Sequence, residues 1–362
     1  MRMPSTSVSF GSVDVVEINR DNLSRIWPHL ILSIRKASLI ALDLELSGLG
    51  RPGGSFARSI EERYQALKEA AETRSILSLG IALFEQRKSK KDKRISYRCQ
   101  VFNLLSLCSE PFTMEPDALR FLAAHSFDFN RLVQKGVPYH RADAEKQKEC
   151  PLRSLWDELL SPRVPIALHN GLVDLVFLHA HVYTTLPAGL PQFVANLSEL
   201  FPADEAPIVD SKFLAESHPD EDARLSSSYL EYVFRKCQRD NDAEATAGRM
   251  HLKCSFNYPF EYKPDEVESV VCSLPDGFPN HVIPSDLATK VCAQFGSHGF
   301  CRRREECGLE HDVDMALDLE LLKSEKARRR RKRRLDAAAG LLNESDGKYV
   351  LVCSCLHSVP FM

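Results

Sequence analysis

The sequence lacks any uninterrupted apolar run of about 18 residues, the length that a membrane-spanning helix requires. Its first residues, Met1 to Ser7, also lack the apolar core of a secretory signal peptide. The 11 cysteines are an odd number and stand mostly isolated, so a framework of paired disulfides is not expected. These absences argue against membrane-spanning and disulfide-stabilised secreted proteins, and they indicate reduced thiols in the cytosol or nucleus.

Net charge is also small, with a formal total of −3, but the charge is distributed unevenly. Eight of the nine residues from Lys326 to Arg334 are basic, which leaves the rest of the chain distinctly acidic. Because no acid is interleaved to pair these charges, we expect the run to stay solvated and to bind polyanions or a nuclear import receptor. With 44% hydrophobic residues, the 362-residue chain can form one large domain with appendages.

Two acidic residues lie on a predicted buried strand that begins at Ser38. Side chains alternate along a strand, so Asp43 and Glu45 face one side while the intervening leucines face the other. Burying unpaired charge is costly or forces neutralisation. A hard divalent cation held by oxygen ligands offsets this cost, so we predict a metal site at this strand. The alternative interpretation is a solvated edge strand with surface acids.

A third acid, Asp174, lies in the first turn of a predicted helix. The strand Val164–Leu168 precedes it, and Asn170 is the expected N-cap residue of the helix that starts at Leu172. A carboxylate in the first turn is favoured by the helix dipole alone, which is the simpler interpretation. Because the residues around Asp174 are otherwise apolar, we expect its face of the helix to point inward.

The remaining pattern predicts an α/β domain. Residues 75–84 and 95–107 are predicted strands, and three successive strands favour an antiparallel meander at one side of a mixed sheet. A further strand is predicted at 208–210. Apolar periodicity predicts helices at 22–34, 116–132, 152–160 and 226–235, and a helix or an ordered excursion at 55–72.

A cluster of four potential metal ligands follows near the C-terminal end. Cys292, Cys301, Cys307 and His311 have the spacing C-x8-C-x5-C-x3-H in polar, glycine-containing sequence. Three thiolates and an imidazole match a tetrahedral structural zinc site. Such a segment is not expected to fold without its metal. The alternative interpretation is four unrelated residues.

Several segments together resemble the Pop-type and poly(A)-specific deadenylases, which are 3′ exonucleases of the DEDD superfamily. These segments are Ala41–Leu49, Glu62–Tyr64, Ser75–Phe84, Phe127–Asn130 and His169–Leu178. The further combination of the CCCH finger with the basic run is similar to the target-of-Egr type of nuclear deadenylase. That type trims adenosine tails and 3′ extensions of small nuclear RNAs.

The resemblance implies the fold and the domain organisation. We expect a ribonuclease-H-like mixed sheet flanked by helices, a small CCCH zinc finger and a disordered basic tail. The implied domains are a nuclease domain at 13–265, the finger at 285–313, a basic nuclear-localisation run at 323–336 and a tail of unknown role at 337–362. The implied location is the nucleus, in bodies such as the Cajal body, the nucleolus or speckles.

The resemblance also implies roles for particular acids. Asp43 and Glu45 match the first exonuclease motif and Asp174 matches the second, so together they would hold Mg²⁺ or Mn²⁺ for two-metal phosphodiester hydrolysis. Asp210 matches a strand aspartate that is not a metal ligand in the family.

The last motif of the family, His-x-Ala-Gly-x-Asp, is missing from these 362 residues. In the family it supplies a fourth carboxylate and a general-base histidine. The nearest segment is His311–Asp314, but His311 is assigned to zinc and no Ala-Gly follows. The tail after Gly340 matches nothing in the family, which indicates a chain cut short or read from an alternative exon. We therefore expect an open gap beside the three clustered acids.

The implied function is that of a nuclear 3′–5′ exoribonuclease that acts on RNA with adenosine tails. Zn²⁺ would order the finger, which would bind single-stranded RNA by stacking on Phe295 and Phe300. The basic run would add salt-dependent affinity. Two alternatives stay open. One is a catalytically weak RNA-binding module with the same fold and finger, and the other is a transcription or growth regulator that binds DNA.

Overall fold

The computed structural model describes residues 11–344 except 51–52, 54–56, 89–92, 143–149, 219–223, 259 and 285. The chain divides into two compact units. The first unit comprises Met1–Val282 with Ser297–Gly299, and the second comprises Ile283–Gly296 with Phe300–Met362. None of the described helices is both long enough and apolar enough to cross a bilayer.

The first unit is built on a mixed sheet. The described strands are β1 Ser12–Ile18, β2 Leu39–Leu46, β3 Ile76–Arg87, β4 Arg94–Cys108, β5 Val137–Tyr139, β6 Ile166–Leu168, β7 Ile208–Asp210, β8 His251–Phe256 and β9 Val267–Val271. They follow the order β7-β6-β2-β3-β4-β1-β9, and β5 and β8 also pair with β4. Strands β2, β3 and β4 form the predicted antiparallel meander, whereas β6 runs parallel to β2 and β7 parallel to β6.

Helices pack against this sheet and close one hydrophobic core. In the first of them, Ile26, Leu30 and Ile34 are fully buried, as the helical spacing of apolar residues predicts. The helices of the first unit are α1 Leu23–Ile34, α2 Ile60–Thr73, α3 Pro116–Ala124, α4 Phe129–Lys135, α5 Pro151–Leu160, α6 Leu172–Leu178, α7 Leu190–Leu200, α8 Ser211–Ser217 and α9 Leu230–Thr246.

The single helix predicted at 116–132 is wrong, because the structure divides this segment into α3 and α4. Ser126 adopts a left-handed backbone with φ 64°, which a continuous right-handed helix does not allow. Asp128 then starts α4, since its side chain accepts a hydrogen bond from the Arg131 backbone N–H at 2.9 Å. The helix predicted at 226–235 starts later and runs further, from Leu230 to Thr246.

The second unit contains the short helix α10 Leu287–Lys290, the first four residues of α11 Ala293–His298, and the long helix α12 Val313–Glu344. The basic tail was predicted to be disordered, but it is helical as far as Glu344. Arginine, lysine, leucine and alanine all favour helix, and Arg329 pairs with Glu325 one turn earlier at 3.5 Å. The rest of the predicted tail, 345–362, lies outside the described residues.

Candidate active site

The acidic strand β2 has the predicted alternation of side chains. Leu42, Leu44 and Leu46 are buried in the core, while Asp43 is exposed and Glu45 is half-buried on the opposite face. The two acids are therefore not sealed in the interior, as a fully buried strand would require. They line a cleft, where solvent reaches them and the surrounding protein still removes part of their hydration.

Asp174 is brought close enough to these two acids to interact with them electrostatically. It lies half-buried in the first turn of α6. Burial and then the charge of Asp43, with a smaller effect of Glu45, raise the pKa of Asp174 to about 7. The predicted N-cap was wrong, since Gly171 occupies that position and Asn170 adopts a left-handed backbone with φ 60°.

The strand acids are perturbed in the same direction. Burial raises the pKa of Asp43. Burial and then the charge of Asp43 raise the pKa of Glu45 to about 7, although His125 acts in the opposite sense. Like charges that lie close together resist joint ionisation. Near neutral pH, the three carboxyl groups are therefore stabilised by binding a positive charge, either a proton or a metal ion.

A cleft of ≈ 690 Å³ opens beside Asp43 and Glu45. Asp43 on β2 pairs with Gly80 on β3, which pairs with Asn103 on β4. Asn103 in turn pairs with Glu17 on β1, so these four residues form a row across four neighbouring strands. With a strand spacing of about 4.8 Å, this row extends roughly 14 Å from Asp43. The far end is polar, because the Asn103 amide donates to both carboxylate oxygens of Glu17 at 3.1 and 3.3 Å.

Asp210 has a positioning role that is visible in its hydrogen bonds. Its carboxylate accepts from the backbone N–H groups of Asn170 at 3.1 Å, Gly171 at 3.0 Å and Lys212 at 2.9 Å. Burial acts to raise the pKa of Asp210, but these backbone hydrogen bonds outweigh it and hold the pKa below its ordinary value. Asp210 therefore fixes the turn from which α6 and Asp174 start.

Sequence reasoning missed Glu115, which holds the loop after β2. Its carboxylate accepts from the N–H groups of Leu49 at 3.1 Å and Gly50 at 2.9 Å, and it pairs with Arg74 at 2.8 Å. A side chain at Gly48 would lie only 2.4 Å from the Glu115 carboxyl carbon, so this close approach requires glycine. The two glycines in the loop were the available signal, but the partner is more than 60 residues away.

The four finger residues of the second unit are brought together as their spacing predicts. The ligand atoms of Cys292, Cys301, Cys307 and His311 all lie within 4.8 Å of one another. The Phe295 backbone N–H contacts the Cys292 sulfur at 3.5 Å, and it contributes most to lowering the pKa of that thiol to about 6. Three sulfurs and one imidazole nitrogen are a donor set that suits Zn²⁺. Among the described residues, the carboxylate oxygens of Asp43, Glu45 and Asp174 do not form a cluster as close as that of the four finger residues.

Comparison with known proteins assigns the fold family. Residues 18–150 and 146–269 match the family described as CAF1 family ribonuclease. The chain belongs to this family. The matched region contains β2, β3, β4 and α6, so the three acids are parts of a CAF1-family domain.

Curated relatives of this CAF1-family chain include poly(A)-specific ribonuclease PNLDC1 from Mus musculus, which is 23% identical over 151 residues, 39% of this chain and 28% of that protein. Human poly(A)-specific ribonuclease PARN is 29% identical over 153 residues, 40% of this chain and 23% of that protein. The chain spans less than a third of the length of either relative. The solved structure of S. pombe Pop2p with Mg²⁺ and Mn²⁺ aligns with a TM-score of 0.43 at 18% identity, covering 56% of this chain and 76% of that one.

Proposed function

We propose that this CAF1-family chain is a nuclear 3′–5′ exoribonuclease of the deadenylase type that trims adenosine tails and 3′ extensions of small nuclear RNAs. The observation that carries the proposal is the proximity of Asp43, Glu45 and Asp174, since the charge of Asp43 raises the pKa of both other acids. Asp43 and Glu45 also line the cleft. The similarity to poly(A)-specific ribonucleases supports the choice of RNA as substrate.

Asp43, Glu45 and Asp174 are the residues that would hold Mg²⁺ or Mn²⁺. Carboxylate oxygens are the ligands that these hard cations prefer, and mutual repulsion among the acids makes a cation more favourable there. The ions, when bound, would activate water and stabilise the leaving 3′-oxygen. Asp210 holds the start of α6, and Glu115 holds the loop after β2, so both fix the positions of the acids.

The second unit would supply RNA affinity and location. We propose that Zn²⁺ orders the CCCH finger and that its aromatic residues stack on unpaired bases. The Phe295 ring is already stacked on the ligand His311, with centroids 5.3 Å apart, whereas Phe300 is 54% exposed. Phe300 is therefore the more accessible stacking residue. The basic part of α12 would attract RNA phosphates and an import receptor, which supports a target-of-Egr type of nuclear deadenylase.

A second candidate is a catalytically weak RNA-binding module, and one observation favours it. Asp43, Glu45 and Asp174 provide one carboxylate fewer than a four-carboxylate site. With fewer charged ligands a divalent cation keeps more of its water and binds more weakly.

One experiment separates these candidates. A 5′-labelled RNA with an oligoadenylate tail is incubated with Mg²⁺ and the full chain, beside the double variant Asp43→Ala, Glu45→Ala. The matched control is Asp240→Ala, which removes an exposed acid on α9. The exoribonuclease is supported if the wild type and Asp240→Ala shorten the tail and the double variant does not. Binding without shortening supports the weak module, and a preference for duplex DNA contradicts both.

A further inference from the structure

Two aromatic rings lie together at the end of α3, next to the acidic cleft. Phe121 is 57% exposed, which is unusual for a phenylalanine on a helix that packs on a domain. The ring of His125 lies against it, with centroids 4.3 Å apart and the planes inclined by 38°. His125 also lines the cleft that contains Asp43 and Glu45. The pair therefore forms an exposed aromatic surface at the edge of the candidate active site.

The position of the His125 ring is fixed by its surroundings. Its Nδ1 is hydrogen bonded to the Phe121 carbonyl oxygen at 2.7 Å. Its backbone N–H donates to the carbonyls of Phe121 at 3.2 Å and Leu122 at 3.1 Å, which closes the last turn of α3. The left-handed Ser126 then turns the chain away from this helix. The His125 ring is thus held in place before any ligand binds, so little of its side-chain entropy is lost on stacking.

The charges of the cleft indicate which part of an RNA would be bound there. The lining carries the acids Glu17, Asp128 and Glu268 in addition to Asp43 and Glu45. Among the described residues that line the cleft, Arg131 is the only lysine or arginine. This side of the site repels phosphate groups, so an RNA strand that reaches it needs contacts to bases instead. Stacking on aromatic rings is the contact that unpaired bases most often use.

We propose that Phe121 and His125 form a base-stacking subsite for an unpaired purine near the 3′ end of the RNA. The proposal rests on the proposed function, and it adds the residues that bind the base. A purine presents a larger π-face than a pyrimidine, so the subsite favours adenosine-rich ends over uridine-rich ends. Phe121 and His125 touch the base and hold the RNA end beside Glu45.

The test uses the full chain without added Mg²⁺, so that the RNA stays intact. Oligoadenylates carrying 2-aminopurine near the 3′ end report stacking by loss of fluorescence, and anisotropy of a 5′ label gives the Kd. We expect Phe121→Ala and His125→Ala to weaken binding of oligoadenylate roughly tenfold and to restore the 2-aminopurine fluorescence. Because these variants remove exposed rings, the fold should be retained. We expect Phe121→Trp and His125→Phe, which keep a ring, to bind close to wild type.

The matched control is Phe213→Ala, since Phe213 is 64% exposed on α8 and does not line the cleft. It should bind oligoadenylate as wild type does. If Phe121→Ala binds as tightly as Phe213→Ala, or if the 2-aminopurine signal does not change, the subsite is refuted. A wild-type chain that binds no RNA contradicts the proposed function itself, a result distinct from a loss confined to the ring variants.

Discussion

At the scale of single residues, Asp43, Glu45 and Asp174 share an environment that disfavours their joint ionisation. Glu45 and Asp174 have pKa values raised to about 7, with burial as the largest cause and the charge of Asp43 as the next. Their ordinary values are near 4 in an unfolded chain. The folded protein therefore binds protons at these sites more tightly than the unfolded protein does.

A pH dependence of stability follows from these raised values. In metal-free buffer, the melting temperature of the first unit should fall as the pH rises from about 4 to about 7, because the folded state binds more protons than the unfolded state between the ordinary and the raised pKa. Differential scanning calorimetry at several pH values measures this slope. Asp43→Ala, Glu45→Ala should flatten it, whereas Asp240→Ala should keep it. An equal slope in both variants would mean that other groups cause it.

Asp210 should behave in the opposite way to the three acids. Its carboxylate satisfies several backbone N–H groups, so Asp210→Ala should destabilise the fold by about 1–2 kcal/mol, the cost of losing a helix cap. Asp43→Ala, Glu45→Ala should leave stability unchanged or slightly higher, because repelling charges are removed. Urea unfolding of the two variants compares these costs. A more stable Asp210→Ala variant would contradict the positioning role.

At the scale of elements, local patterns predicted much of the first unit and failed where distant segments meet. The Leu/Asp alternation of β2 and the spacing of α1 are local, and both were confirmed. Strand β1 was missed, since it pairs in parallel with β4 about 86 residues later. The cleft depends on β1 and β9, so it could not be derived from sequence. The break at Ser126 was also missed, because serine gives no local signal for a left-handed backbone.

The finger is an element that should depend on its metal. Cys301→Ser should release zinc and unfold the finger of the second unit, because three buried cysteines form its cluster. The melting transition of the first unit should persist. Atomic absorption on purified protein measures zinc, and calorimetry measures both transitions. Unchanged zinc content in Cys301→Ser would show that this cysteine is not a ligand.

The basic part of α12 should determine where the chain accumulates in a cell. Replacing the arginines between Lys326 and Arg334 with glutamine keeps good helix formers but removes the positive charge. A fluorescent fusion of this variant should move from the nucleus to the cytoplasm. Replacing the same arginines with lysine is the matched control, and it should stay nuclear. Nuclear signal in the glutamine variant would indicate another import route.

At the scale of the whole molecule, a positioned general base should increase the rate of trimming. A chain extended by a His-x-Ala-Gly-x-Asp segment should trim tailed RNA faster than the 362 residues alone, since a positioned general base typically contributes ~10²–10⁴-fold. The same extension with the histidine and aspartate replaced by alanine is the control. Time courses of tail shortening compare the three proteins. Equal and brisk trimming by all three would show that the three acids suffice.

Mn²⁺ titration calorimetry tests whether Asp43, Glu45 and Asp174 form a divalent-cation site. The zinc-loaded full chain is compared with Asp43→Ala, Glu45→Ala and with Asp240→Ala. We expect Mn²⁺ binding to be lost in the double variant and kept in the control, while circular dichroism shows both folded. Undiminished Mn²⁺ binding by the folded double variant would show that Asp43 and Glu45 do not hold the cation.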